Sequence, residues 1–154
     1  MTAHKILVPY NFAAFDQKAL DFLIRNYAGR EEIEITLFNA FTPLPDIDTQ
    51  DSPAVERLKQ SLSYLASRIR EQEEALESVR QDLVAGGFRD NQVLTRYESR
   101  RKDVPGQILE TAANGGFHTI VLSREPRKMR RFFTASVFQK VIEGAKDMAV
   151  CVVS

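Results

Sequence analysis

Hydrophobic residues along this chain fall into short runs separated by longer amphipathic stretches. Uninterrupted apolar runs predict strands at residues 5–9, 119–122 and 149–153. Alternating apolar and polar positions predict two more strands at 32–41 and 91–98. Runs without polar alternation are typical of strands that are buried on both faces of a parallel sheet.

Between these strands, the apolar residues have the spacing of amphipathic helices. Apolar residues three and four positions apart predict helices at 15–27, 53–85, 105–114 and 134–145. Glycines follow the first three of these segments, as is common just past a helix end. In the last helix, Val137, Val141 and Ile142 are expected to face the core.

The second helix is unusually long. Its apolar positions keep a three-four rhythm that is interrupted at Gln72: Val55, Leu58, Leu62, Leu65, Ile69, Leu76, Val79 and Leu83. A partner-binding coiled coil would have only about four heptads, so the pattern favours an amphipathic helix that lies on its own sheet.

The strict alternation of strand and helix predicts an α/β fold. Helix-length connections imply right-handed crossovers and a parallel sheet covered on both faces. The length of 154 residues fits a single domain over residues 1–154.

Charge and cysteine content narrow the class of protein. Lysine and arginine total 21, as do aspartate and glutamate, which argues against a general nucleic-acid binder. The single cysteine, Cys151, lies in an apolar run and is expected to be a small buried hydrophobe. The run Ile6–Val8 is too short for a signal peptide and no run approaches the roughly 20 residues of a membrane span, so a soluble cytoplasmic protein is expected.

Three segments together carry a family resemblance. Residues 5–9 lead into a turn and an Ala-Leu helix, residues 116–124 precede a basic loop, and residues 135–141 precede the terminal strand. In this order they are similar to the universal stress protein family. The resemblance implies a stress-response role and a flavodoxin-like (adenine nucleotide alpha hydrolase-like) sheet of five parallel strands in the order 3-2-1-4-5. It also implies a homodimer through residues 149–153, where an apolar edge strand would pair with its own copy.

In such folds a ligand binds beyond the carboxyl ends of the strands, where the strand order reverses. With the implied order, this place lies between strands one and four. The residues predicted to line it are Asn11, Ala40, Ser123, Arg124, Arg127, Arg130 and Ser136.

The resemblance also implies a phosphate-binding pattern that this chain lacks. ATP-binding members carry a glycine, two residues, a second glycine, nine residues, then a glycine with serine or threonine. Aligned on Ser136, the three glycine positions hold Leu122, Glu125 and Ala135, and Asn11 stands where the family has an aspartate. Losing two or three hydrogen bonds weakens binding by roughly 3–6 kcal/mol. We therefore expect no cofactor and no ATP binding of the usual kind.

Two alternatives to this interpretation remain open. In the first, the guanidinium groups of Arg124, Arg127 and Arg130 in the basic loop 124–136 would replace backbone amides as donors to a nucleotide or another anion. Together with residues 100–102, the loop also fits a weaker hypothesis of nucleic-acid binding. A solvated loop whose charges are balanced locally is favoured over both.

No motif indicates catalysis or a metal site. The sequence has no Walker loop, nucleophile elbow or zinc-binding helix. His4 and His118 are expected to approach each other at the edge opposite the pocket, without the carboxylates that a metal would need. The leading hypothesis is thus a non-catalytic stress-response or regulatory module that acts by interaction with an unidentified protein partner.

Overall fold

The computed structural model describes residues 2–45, 53–124 and 137–154. Five parallel strands form one sheet in the order β3-β2-β1-β4-β5, as the family resemblance implied. The elements are β1 (His4–Pro9), α1 (Gln17–Tyr27), β2 (Ile33–Phe41), α2 (Pro53–Ala85), β3 (Val93–Ser99), α3 (Val104–Asn114), β4 (Thr119–Ser123), α4 (Val137–Gly144) and β5 (Ala149–Val153).

The sheet has a separate hydrophobic core on each face. One core lies under α1 and α2 and includes Ile6 and Val8 from β1. The other lies under α3 and α4 and includes Leu7. These three side chains are fully buried, which explains why β1 is apolar at successive positions.

The long helix α2 is only partly covered by the sheet. Leu76, Val79 and Leu83 are buried, whereas Leu58 and Leu65 are 48% and 43% exposed. The expectation that α2 lies on its own sheet is therefore correct for its C-terminal part and wrong for its N-terminal part. The helix spans about 50 Å at 1.5 Å per residue, whereas the nine residues of β2 span only about 30 Å.

The last helix differs in one detail from its prediction. Val141 is fully buried and Val137 half-buried, but Ile142 is 47% exposed and does not face the core. Neighbouring residues on a helix point about 100° apart, and in α4 the side that faces the core is the one that carries Val141. Residues 134–136, the predicted start of this helix, lie outside the described residues.

The two histidines meet as predicted, at the amino-terminal ends of β1 and β4. Their rings stack with centroids 5.1 Å apart. His4 Nε2 lies 2.9 Å from Thr119 Oγ1, and the Lys5 N–H donates to His118 Nδ1 at 3.0 Å. Within the described residues, no group of three histidine, cysteine or carboxylate side chains is placed to hold a metal.

Two further observations concern Cys151 and the membrane. The Cys151 side chain is half-buried against the first core, and burial raises the pKa of its thiol. In the described part of the chain, no helix combines the length and apolar character required to cross a bilayer.

Candidate functional site

The candidate site lies at the carboxyl ends of β1 and β4, where the strand order reverses. β1 is central and pairs with β2 on one side and β4 on the other. The carboxyl ends of β1 and β4 therefore flank the reversal of strand order, which is the usual ligand position in doubly wound sheets.

The loop after β1 is held close to the sheet by β2. The Tyr10 N–H donates to the Phe38 carbonyl at 2.8 Å, and Asn39 Nδ2 donates to the Tyr10 carbonyl at 2.8 Å. Phe12 then adopts a left-handed backbone with φ of 60°. Such a conformation is uncommon for a bulky residue and persists only when surrounding contacts enforce it.

The contact that enforces this loop shape is the carboxylate of Asp16. Its Oδ2 accepts the backbone N–H of Asn11 at 3.1 Å and that of Ala13 at 3.0 Å. The residue is only 2% exposed. Two converging N–H groups around a left-handed residue form a small anion-binding concavity, and here the chain's own carboxylate fills it.

Ser123 at the end of β4 completes the surroundings of this carboxylate. Burial raises the pKa of Asp16, while the N–H groups of Ala13 and Asn11 and the neighbouring Ser123 hydroxyl act in the opposite direction without overcoming it. The Ser123 hydroxyl is buried and has no well-formed hydrogen bond among the described residues.

The Asp16 carboxylate also affects the pKa of Tyr10. Burial raises the pKa of its hydroxyl, and the charges of Asp16 and Asp82 raise it further. Its ring packs edge-on against Phe12 at 5.1 Å between centroids. The β1 end of the candidate site is thus lined by an aromatic pair and one buried acid.

The structure separates the described pocket residues into two groups. Asn11 and Ser123 both border Asp16, Asn11 through its backbone and with an exposed side chain. Ala40 packs instead against the core on the opposite face of the sheet. Arg127, Arg130 and Ser136, together with Glu125 and Ala135 of the aligned pattern, lie outside the described residues.

Arg124 extends toward the end of β5. Its backbone N–H donates to the Val153 carbonyl at 2.9 Å, and its Nε donates to the Ser154 hydroxyl at 3.1 Å. Its guanidinium carbon lies 5.8 Å from the centroid of the Phe138 ring on α4. These contacts place the side chain beside β5 and α4.

Leu122 shows what replaces the first glycine of the phosphate-binding pattern. Its side chain is only 4% exposed and belongs to the core beneath α3 and α4. A glycine at this position would allow close backbone approach to a ligand. The leucine instead contributes to packing.

A second concave surface lies at the carboxyl ends of β2 and β3. It is a cleft of about 510 Å³ lined by Thr42, Pro43 and residues 100–103, and we call it the basic cleft. Arg101 and Lys102 both pair with Glu110 of α3. The hydrogen bond from Lys102, followed by that from Arg101, lowers the pKa of Glu110.

Gln107 fixes the backbone of the basic cleft. It is fully buried, accepts the Arg101 N–H at 3.0 Å, and donates to the Glu98 carboxylate and the Ser99 carbonyl at 3.0 and 3.1 Å. Burial raises the pKa of Glu98, but hydrogen bonds from Arg96 and Gln107 and the charges of Arg96 and Arg101 outweigh burial and lower it. Two of the cations that line this cleft, Arg101 and Lys102, are already paired with Glu110.

Sequence reasoning missed Asp16 as a site residue. The available signal was its position three residues after Ala13, because an acid at the third helical position often accepts the N–H of the residue that precedes a helix. Ala13 itself offers no side-chain cap, so the pattern is only half present. Nothing in the sequence indicates that the carboxylate also binds Asn11 and is buried beside Ser123.

Comparison with known proteins identifies the family. A model of the universal stress protein family matches residues 2–152. The chain belongs to the universal stress protein family. It is therefore a stress-response module of the universal stress protein type. A comparison with curated proteins found no significant match.

Solved structures of universal stress proteins share the fold. The protein UspA from Lactobacillus plantarum superposes with a TM-score of 0.70 at 18% identity, covering 100% of this chain and 99% of that one. A universal stress protein from Archaeoglobus fulgidus in complex with dAMP gives 0.65 at 18% identity, covering 100% of both chains. A universal stress protein in complex with cAMP gives 0.63 at 14% identity, covering 100% of this chain and 98% of that one.

Proposed function

We propose that this universal stress protein acts by interaction, as a non-catalytic regulatory module, and does not hold ATP in the manner of the ATP-binding members. The observation that carries the proposal is the buried Asp16 carboxylate between β1 and β4. It uses the N–H groups of Asn11 and Ala13 that an anionic ligand would otherwise find free.

Electrostatics work in the same direction. A phosphate brought to this end of the sheet approaches a buried carboxylate, and like charges in a poorly solvated site repel more strongly than in water. Glu125 adds a second acid to the sequence where the phosphate pattern has a glycine. Both features lower the affinity for a triphosphate.

The non-catalytic part of the proposal rests on the composition of the site. Ser123 has a buried hydroxyl beside Asp16, but both histidines of the chain lie at the opposite edge of the sheet. A serine nucleophile needs an adjacent general base whose protonation it can exchange. Asp16 already accepts hydrogen bonds from two backbone N–H groups, and in this proposal its role is to stabilise the β1 loop.

We also propose a homodimer through β5, whose edge position in the sheet supports it. Pairing of Ala149–Val153 with a second copy would cover an apolar edge symmetrically. Light scattering at micromolar concentration tests this proposal, and a monomer would contradict it. The cytoplasmic location stays a prediction from the sequence.

A second candidate function is a sensor of nucleotides or other small anions. Two relatives of the same fold were solved in complex with dAMP and cAMP, which supports this alternative. In this chain the sensor would use Arg124, Arg127 and Arg130 with Asn11 and Ser136.

Calorimetric titration distinguishes the two candidates. ATP, ADP, AMP and cAMP are each titrated into the purified protein, with and without magnesium. We expect no binding tighter than about 1 mM, which corresponds to roughly −4 kcal/mol. Micromolar binding of any of them that is lost in R124A/R127A would favour the sensor and contradict the leading proposal.

A further inference from the structure

Among the residues that the structure describes, the sheet does not cover the N-terminal part of α2. The Tyr97 hydroxyl of β3 donates to the Ile69 carbonyl at 2.8 Å and anchors the helix there. From Pro53 to Gln72 no residue of the helix is buried. Sixteen helical residues before Ile69 would reach about 24 Å past this anchor.

This extension carries an apolar stripe, which we call the seam. Its members stand three and four positions apart, as at the a and d positions of a heptad repeat: Val55, Leu58, Leu62, Leu65 and Ile69. Leu58 and Leu65 are 48% and 43% exposed, and Val55, Leu62 and Ile69 are half-buried. The spacing continues into Leu76, Val79 and Leu83, which are covered by the protein's own sheet.

The sheet restricts how a second helix can lie on the seam. Because seam and buried residues share nearly the same side of α2, a second copy in parallel orientation would run its own C-terminal half into the sheet of the first. In an antiparallel copy, the C-terminal half of α2 and the sheet that covers it lie beyond the N-terminal end of the first copy's α2. The antiparallel orientation is therefore the one that leaves room for both bodies.

The antiparallel register is self-complementary. With a positions opposite d positions, Leu62 faces the partner copy's Leu65, and Leu58 faces its Ile69. The polar Gln72 falls at the end of the paired region, opposite Val55. Each apolar layer then repeats by two-fold symmetry, as an isologous interface requires.

Flanking residues permit the same register. Lys59 lies across from the partner copy's Ala66, and Arg68 lies across from its Ser61. No two like charges face each other beside the seam. Charges at these flanking positions set partner choice and orientation in paired helices, so their arrangement is compatible with a second copy of this chain.

We infer that the seam is an interface between two copies of this chain, paired antiparallel along residues 55–69 of α2. This interface goes beyond the proposed function and is separate from the β5 edge. β3 borders α2 and lies at the opposite edge of the sheet from β5. A protein that uses both surfaces forms assemblies larger than a dimer.

The mass in solution tests this interface. We compare the wild type with L58E/L65E and with the control Q60E/S63E, which adds the same charge at exposed positions off the seam. Light scattering at micromolar concentration should show a mass that is at least two-fold lower in L58E/L65E than in the wild type and unchanged in the control. Circular dichroism establishes that each variant is folded, and a folded L58E/L65E with the wild-type mass would overturn the interface. Nucleotide titration is independent of this result, so the proposed function stands or fails separately.

Crosslinking tests the orientation. In a C151S background, chains carrying L62C and chains carrying L65C are oxidised separately and as a mixture. Antiparallel pairing places position 62 opposite position 65, so a disulfide dimer should form in the mixture and not in either single preparation. Dimers formed by each chain alone, or none in the mixture, would overturn the antiparallel interface.

Discussion

Asp16→Ala should lower the free energy of unfolding by about 2–4 kcal/mol, because it leaves two loop N–H groups without their acceptor. The N–H groups of Asn11 and Ala13 donate to this carboxylate at 3.1 and 3.0 Å, in a site that is almost closed to solvent. The left-handed Phe12 between them also loses the contact that enforces its conformation. Urea unfolding followed by circular dichroism measures the change.

Two further variants show that the effect belongs to this carboxylate. Asp21→Ala removes an exposed acid five residues further along the chain. Asp21 accepts a hydrogen bond from Gln17, and its loss should change stability by no more than about 0.5 kcal/mol. Asp16→Asn keeps a carbonyl oxygen for the two N–H groups and should be less harmful than alanine. Equal losses for the alanine variants at 16 and 21 would contradict the role assigned to Asp16.

The raised pKa of Asp16 determines the direction in which the stability of the protein changes with pH. Burial raises this pKa above the ordinary 3.8, so the folded state binds the proton more tightly than the unfolded state. The resulting stabilisation is fully present below the unfolded pKa and is lost as pH rises through the folded pKa. The stability of the wild type minus that of D16N should therefore fall as pH rises above 3.8. A difference that rises over this range would contradict the assignment.

Gln107→Leu should lower the free energy of unfolding by about 2–4 kcal/mol, although leucine has a similar volume. The substitution leaves the Arg101 N–H and the Ser99 carbonyl without the amide of the fully buried Gln107 side chain. It also removes a hydrogen bond to the Glu98 carboxylate, so the pKa of Glu98 should rise. Urea unfolding measures the first effect, and carboxyl resonances followed through an acid titration measure the second.

Gln139→Leu is the matched control for this variant. Gln139 is exposed on α4 and, within the described residues, donates to Glu143 one turn further along the same helix. Its loss should change stability by no more than about 0.5 kcal/mol. If Gln107→Leu were as mild as Gln139→Leu, the basic cleft would not depend on the buried amide.

Much of the fold follows from the pattern of apolar residues. The apolar run Ala149–Val153 coincides with β5, and β1 differs from its prediction only by the addition of His4. The pattern is informative here because both faces of these strands are covered, so side-chain burial alone identifies them. The meeting of His4 and His118 follows from the strand order in the same way.

The pattern of apolar residues does not predict features that depend on the three-dimensional positions of distant segments. The rhythm of α2 continues through Leu58 and Leu65 as through Leu76 and Leu83, so the sequence cannot show where the sheet beneath the helix ends. The burial of Asp16 depends on the path of the β1 loop in space. Family resemblance located the candidate pocket, but the group that occupies its β1 side became visible only in the structure.

We propose that the Asp16 carboxylate keeps the β1 loop closed to nucleotide. The amide resonances of Asn11 and Ala13 in isotope-labelled protein, followed during titration with magnesium and ATP, test this proposal. We predict that both resonances stay in place up to about 1 mM nucleotide. Saturable shifts of these two amides and of Ser123, with a micromolar midpoint, would contradict the account.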